Sequence, residues 1–263
     1  MRKTIASVLA MLLVSAGLHS QPAAASTYTS EISDMWWNPA ESGWGVNIVL
    51  QNNVAFATFF IYDGQRNPVW YTAQLTYASN LTWTGPLFAT TGPWFAGPFV
   101  ASTVTARQAG TATFRLQYLD QASFTYSIDG MSVTKSLQRQ TWTNENYSGT
   151  YAGGYSIRTS GCNPSYFNGV TDAAGYLTVT HSNASFSMLS NSNLGTCTFS
   201  GIYRQTGKLG EVDGSYSCSS GERGTFSMFE MTPTISGFTA RVQGTNQYCA
   251  QWSGYAGGIL RAQ

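Results

Sequence analysis

Residues 122–137 read Ala-Ser-Phe-Thr-Tyr-Ser-Ile-Asp-Gly-Met-Ser-Val-Thr-Lys-Ser-Leu, and their alternation decides the fold class. Phe124, Tyr126 and Ile128 fall on one face, and Ser123, Thr125 and Ser127 on the other, which is the two-residue period of a half-buried strand. Asp129-Gly130 suits the left-handed angles of a two-residue hairpin turn, after which Met131–Leu137 returns. The same grammar runs upstream. Trp44, Val46, Ile48 and Leu50 alternate with Gly45, Asn47, Val49 and Gln51, and Asn52-Asn53 offers a second tight turn. Val54 to Tyr62 is nearly apolar on both faces, which predicts a strand covered on both sides, the outer one by the second half of the chain. Asp63-Gly64 opens a turn ending at Pro68. Further strands are predicted at Val69–Ala73, Trp83–Phe88, Ser102–Arg107 and Ala112–Tyr118. An aromatic loop stiffened by proline, Gly92-Pro93-Trp94-Phe95 and Gly97-Pro98-Phe99, lies among them. Seven or eight short antiparallel strands in about 110 residues favour an up-and-down barrel, because closure removes exposed edges. A β-sandwich shares most of this signature.

The composition changes near residue 144. Seven of the eight tryptophans lie at or before Trp142, and all four cysteines lie beyond it. Two all-β modules are expected, a tryptophan-rich barrel at 35–142 and a glycine-rich, disulfide-bonded barrel at 147–262; one larger β domain is the alternative. The hinge, Thr143 to Asn146, is short enough that the modules should touch. In the second module strands are predicted at Tyr176–Thr180, Ser185–Leu189, Cys197–Tyr203, Val212–Cys218, Gly224–Met231 and Phe238–Val242. Tyr151-Ala-Gly-Gly154 near its start recurs as Tyr255-Ala-Gly-Gly258 near its end. The first and last strands of a closed barrel are neighbours, and paired glycines there would let the sheet curl shut. No amphipathic helix of three turns follows the first 25 residues.

Residues 1–25 have the zones of an export signal: Arg2 and Lys3, an apolar run from Ile5 to Leu18, and Ala23-Ala24-Ala25 before a cleavage site at Ser26. Cleavage removes two of the 13 Lys+Arg, leaving 11 against 12 Asp+Glu and a net charge of −1. Nothing basic clusters to neutralise phosphates, so nucleic acid is excluded as a partner. A secreted or periplasmic destination follows, with association at the cell surface compatible. Membrane insertion is not expected, because most predicted strands have five to eight residues and a spanning strand needs about 9–11.

Four cysteines in an exported chain read as two disulfides. Cys197 with Cys218 and Cys162 with Cys249 is one pairing. Cys162 with Cys197 and Cys218 with Cys249 is the favoured one, because each bridge then closes a moderate loop. A zinc site is disfavoured, as no close cysteine pair exists and His181 is the sole histidine after the signal. His181 reads as an exposed turn residue, and no Gly-x-Ser-x-Gly elbow accompanies it. Asp34 and Glu41 could in principle serve a secreted hydrolase, but their spacing leaves their distance open. No cofactor motif occurs. Phe226 and Met228 share a strand face with Glu230, for which Arg241 on the next strand is a structural partner.

Met35-Trp-Trp-Asn-Pro-Ala-Glu-Ser-Gly-Trp-Gly45 is the most specific string in the chain. Trp36, Trp37, Asn38, Glu41 and Trp44, with Trp94, could form a ligand-binding set: rigid aromatic faces stack on a sugar or an apolar ligand, and an amide and a carboxylate orient it. The competing reading makes the tryptophans a plug for one barrel end and gives Glu41 to backbone N–H groups of its own loop. The function expected is non-enzymatic binding of a glycan or small apolar ligand; a structural or adhesive role in the cell envelope is the alternative.

Gly43-Trp44-Gly45 opening a strand, with Arg139 after the last strand of the module, resembles the lipocalin pattern. The resemblance implies that Arg139 packs over Trp44 and closes the barrel floor. The longer string, with Phe59-Phe60-Ile61-Tyr62-Asp63, Pro68-Val-Trp-Tyr71 and Gly92-Pro93, resembles a recurrent module of exported bacterial proteins. That resemblance covers roughly residues 35–140 and implies export, a bacterial source and an accessory role, without an activity.

Overall fold

The computed structural model describes residues 31–261. The expected export signal and cleavage site lie outside them, as does Ala262. The chain forms two closed eight-stranded antiparallel barrels, so the sandwich alternative falls away.

The first barrel comprises β1 (Asp34–Trp37), β2 (Gly45–Gln51), β3 (Val54–Tyr62), β4 (Pro68–Ser79), β5 (Thr82–Thr91), β6 (Thr105–Leu116), β7 (Gln121–Ile128) and β8 (Met131–Arg139). Each strand pairs with the next, and β1 closes the ring on β8 through Trp36 opposite Arg139. The turn Asp129-Gly130 has both residues at positive φ, +49° and +88°, as its sequence predicts. Strand lengths differ from expectation. β4 continues to Ser79, and β6 joins two predicted strands in one run of 12 residues. The interior is filled by Trp36, Phe59, Trp83, Phe114 and Phe124, all fully buried. Phe56, Phe60 and Tyr62 point outward and stand about half exposed, with Trp70 beside Phe60 on β4. The expectation that β3 is covered on both faces is therefore wrong: its outer face is uncovered in this chain.

The second barrel comprises β9 (Gly149–Cys162), β10 (Gly169–Ser182), β11 (Ser185–Ser192), β12 (Gly195–Thr206), β13 (Leu209–Cys218), β14 (Arg223–Thr234), β15 (Gly237–Asn246) and β16 (Cys249–Leu260). The seam joins β9 and β16, where Gly153 faces Gly258 and Gly154 faces Gly257. A Cβ on Gly154 would fall 1.8 Å from the Ala173 carbonyl oxygen, so the backbones approach too closely for any side chain there. Strands reach 14 residues, which removes the short-strand argument against a membrane barrel. The outward faces nevertheless expose Arg158, Asp172, Arg204 and Asp213, rather than an unbroken apolar band. Among the described residues no helix is long and apolar enough to cross a membrane.

The disulfides join Cys162 to Cys249 and Cys197 to Cys218, which corrects the favoured pairing. The reason is register: Cys197 sits opposite Cys218 on β12 and β13, and Cys249 opposite Cys162 on β16 and β9. Cross-strand adjacency, not the length of the closed loop, decides the pairing.

The barrels meet end to end. The Lys208 N–H donates to Asp34 Oδ2 at 3.0 Å, and the Gly207 N–H to Thr141 Oγ1 at 2.8 Å. In the connecting segment the Glu145 N–H donates to Gln205 Oε1 at 2.7 Å, and Tyr147 is buried in the near end of the second barrel with its hydroxyl on the Met231 carbonyl. Tyr151, His181, Tyr203 and Phe238 complete this aromatic floor.

Candidate functional site

Strand β8 places Val133, Lys135, Leu137 and Arg139 on its inward face. Two cations thus enter an apolar interior, and each finds an indole and a carboxylate. Arg139 lies over Trp36, 4.5 Å from the ring centroid, and pairs with Asp34 at 3.1 Å with both side chains buried. It also donates from Nε to the Leu119 carbonyl and from Nη2 to the Glu31 carbonyl. Burial lowers the Arg139 pKa, and Asp34 opposes that shift. The tryptophan beneath Arg139 is Trp36 and not Trp44, because Trp36 occupies β1 directly opposite Arg139.

At the other end Lys135 donates to both oxygens of Glu41, at 2.9 and 2.7 Å, and Glu41 accepts the Trp44 indole N–H at 3.0 Å. Glu41 therefore binds side chains, not the loop amides expected for it. The bond from Lys135 holds its carboxyl below the usual range; partial burial opposes this and Trp44 reinforces it. Asn38 shapes the same loop: its Oδ1 accepts the Ala40 N–H, and its carbonyl the Glu41 N–H.

Of the sequence-selected binding set, Trp36 is wholly buried beneath Arg139. Trp37 is half-buried on the outer face, Trp44 sits in the mouth, and Trp94 projects on the exposed β5–β6 loop. The structure gathers Glu41 and Trp44 and leaves Trp36 and Trp94 apart from them. Asp34 and Glu41 are committed to cations four residues apart on β8, about 13 Å along a strand, and share no site.

His181 is buried, not exposed. Its Nδ1 accepts the Tyr147 N–H at 3.3 Å, so Nε2 carries the proton given to the Asn183 carbonyl at 2.9 Å. With both nitrogens occupied, the ring is part of the barrel floor. Glu230 leaves the face of Phe226 and Met228. A bulge between Phe229 and Thr232 holds Glu230 at φ +52°, turns it toward Arg241 at 3.7 Å, and gives the interior position to Met231. Among the described residues no group of three or more His, Cys, Asp or Glu could hold a metal ion.

The second barrel is not filled. Above its aromatic floor lies a cavity of about 420 Å³, open at the end away from the first barrel. Tyr155, Ile157, Met188, Phe199, Phe226, Met228, Val242 and Trp252 form its walls, and Cys197, Cys218 and Cys249 border it. Its polar groups converge near the mouth. Glu222 Oε1 accepts the Tyr216 hydroxyl at 2.7 Å and Asn246 Nδ2 at 2.8 Å. The backbone N–H of Cys218, itself bridged to Cys197, donates to the Glu222 carbonyl at 2.8 Å and fixes the rim loop. Burial pushes the Tyr216 phenol up, and the bond to Glu222 adds to the shift. Trp252 Nε1 lies near enough to Tyr216 to act against that shift, yet it is buried without a hydrogen bond of normal length. Burial, then the charge of Glu222, raises Tyr155 as well.

The sequence reading missed this cavity. One signal was available: Trp36, Trp44 and Trp83 fill the first barrel, whereas the second has Trp252 alone to fill a barrel of longer strands.

No family model matches the chain, and no curated protein matches it. Among solved structures, it is similar to a mutant of the vaccine antigen transferrin binding protein B from Haemophilus parasuis. The two are 9% identical over 86% of this chain and 67% of that one, with a TM-score of 0.24. A likeness at that level carries no argument about fold detail or function.

Proposed function

We propose that this is an exported binding protein whose second barrel holds a small, largely apolar ligand. The observation that carries this reading is the cavity of about 420 Å³, walled by aromatic and aliphatic side chains, with its polar groups gathered at one rim. Such sites bind by burying apolar surface, while a few placed polar groups fix the pose. Two disulfides at the mouth suit an oxidising compartment, which supports the secreted or periplasmic destination. Titration with the neutral fluorophore N-phenyl-1-naphthylamine tests the reading. One saturable site is expected, lost in Ile157→Trp, which fills the lumen, and retained in Trp94→Ala. Absence of saturable binding to the native protein would overturn it.

A second reading concerns the first barrel, where Trp70 and Trp94, rather than the buried Trp36, expose faces able to stack on a glycan or on another envelope component. Screening a glycan panel with native protein and Trp94→Ala tests it: binding unchanged by the substitution removes Trp94 from the role.

A further inference from the structure

The chemistry of the cavity mouth narrows the ligand class, on the reading that the second barrel binds a ligand at all. Glu222 is the only charged side chain among the residues lining the cavity. Among the described residues no lysine, arginine or histidine lies within ion-pair distance of it. The neighbouring Arg223 sits on the outward face of β14, with its backbone N–H on Gln247. The carboxylate therefore meets only neutral donors inside the barrel, the Tyr216 hydroxyl and Asn246 Nδ2, and both go to Oε1. A carboxylate at an apolar cavity needs a compensating partner.

The walls around it are aromatic. Tyr155, Phe199, Tyr216 and Trp252 line the same space, and Phe199 stacks on Tyr216 at 5.1 Å between ring centroids. Ring faces attract cations and offer nothing to an anion. A cation entering this mouth meets one carboxylate and several ring faces; an anion is repelled by the carboxylate and finds no cationic side chain among the lining residues.

We infer that the second barrel selects a cationic amphiphile, with an ammonium group at Glu222 and the aromatic rim and an apolar body in the lumen. The rim loop is held by the Cys218 N–H and by the Cys197–Cys218 bridge, so Glu222 is in place before the ligand arrives. Substrates with a phosphate or carboxylate head are excluded by the same geometry.

Competition against bound N-phenyl-1-naphthylamine decides the matter, with octyltrimethylammonium, octanol and octyl sulfate as competitors of one chain length. The native protein should prefer the ammonium by about tenfold or more over the other two, the scale of one desolvated cation–π or charge contact. Glu222→Gln keeps an acceptor for Tyr216 and should cut the ammonium's preference over octanol severalfold, leaving only what the ring faces contribute. Ser220→Lys, on the exposed rim loop, should shift the preference toward octyl sulfate and serves if Glu222→Gln does not fold. Equal competition by all three compounds in the native protein overturns the inference and leaves apolar binding intact. Failure of the fluorophore itself to bind overturns both.

Discussion

Asp34 and Arg139 form an ion pair of 3.1 Å that is buried on both sides, and the same Asp34 Oδ2 takes the Lys208 N–H of the second barrel at 3.0 Å. The pair closes the floor of the first barrel and forms part of its joint to the second. Removing one partner strands the other charge away from water. Arg139→Met is expected to cost about 3–5 kcal/mol in urea unfolding, the range for a broken buried pair. A loss below about 1 kcal/mol, typical of an exposed pair, would contradict the account.

Gly207 abuts that joint. It holds φ at +61°, and a Cβ there would lie 2.1 Å from Asp34 Oδ2. Gly207→Ala must therefore move the turn away from Asp34. The expected outcome is faster hydrogen exchange at the Lys208 amide, with exchange inside β2–β7 unchanged. An unaltered Lys208 amide would show that the turn does not depend on this contact.

The two disulfides close loops of unequal length, with sequence separations of 87 and 21 residues. Chain entropy alone then predicts that losing Cys162–Cys249 costs about 4.6 kcal/mol and losing Cys197–Cys218 about 3.3 kcal/mol. Paired cysteine-to-serine variants, compared by thermal melting, should rank in that order. The reverse order would mean that native-state packing around Cys197–Cys218 outweighs loop length.

The loop over the first barrel's mouth should respond to acid. The Glu41 pKa is lowered in the folded chain, chiefly by Lys135, so its contribution is present above the ordinary glutamate pKa and lost as pH falls through the lowered value. Glu41→Gln should be slightly less stable than native protein at neutral pH and indistinguishable from it in strong acid. The difference is expected to be small, because the pair is partly exposed to water. A stability gap that grows as pH falls would reverse the sign and contradict the pairing.

The barrels were legible wherever alternation ran unbroken. Phe124-Thr-Tyr-Ser-Ile with Asp129-Gly130 gives a strand and a hairpin turn with no further information, and the doubled Tyr-Ala-Gly-Gly marks the two strands that meet at the seam. Pairing across strands was harder. The disulfides follow from register, which depends on every turn length between Cys162 and Cys249. Glu230 followed the face rule in sequence and breaks it in space, because one bulge reverses the alternation. Lys135 was readable as an inward position between Val133 and Leu137, yet its partner Glu41 lies 94 residues away. The cavity was least legible, because it depends on how much volume all eight strands leave unfilled, and the single inward tryptophan of the second module records that only in part.

The central claim, that a ligand occupies the lumen of the second barrel, is tested most directly by the indole N–H resonances of the eight tryptophans during a titration with N-phenyl-1-naphthylamine. Trp252 is the only tryptophan of the second barrel, and it lines the cavity. The account predicts that the Trp252 resonance shifts and saturates while those of Trp36 and Trp83, buried in the first barrel, stay fixed. Saturating shifts at Trp70 or Trp94 with Trp252 unmoved would place the binding surface on the first barrel and contradict the account.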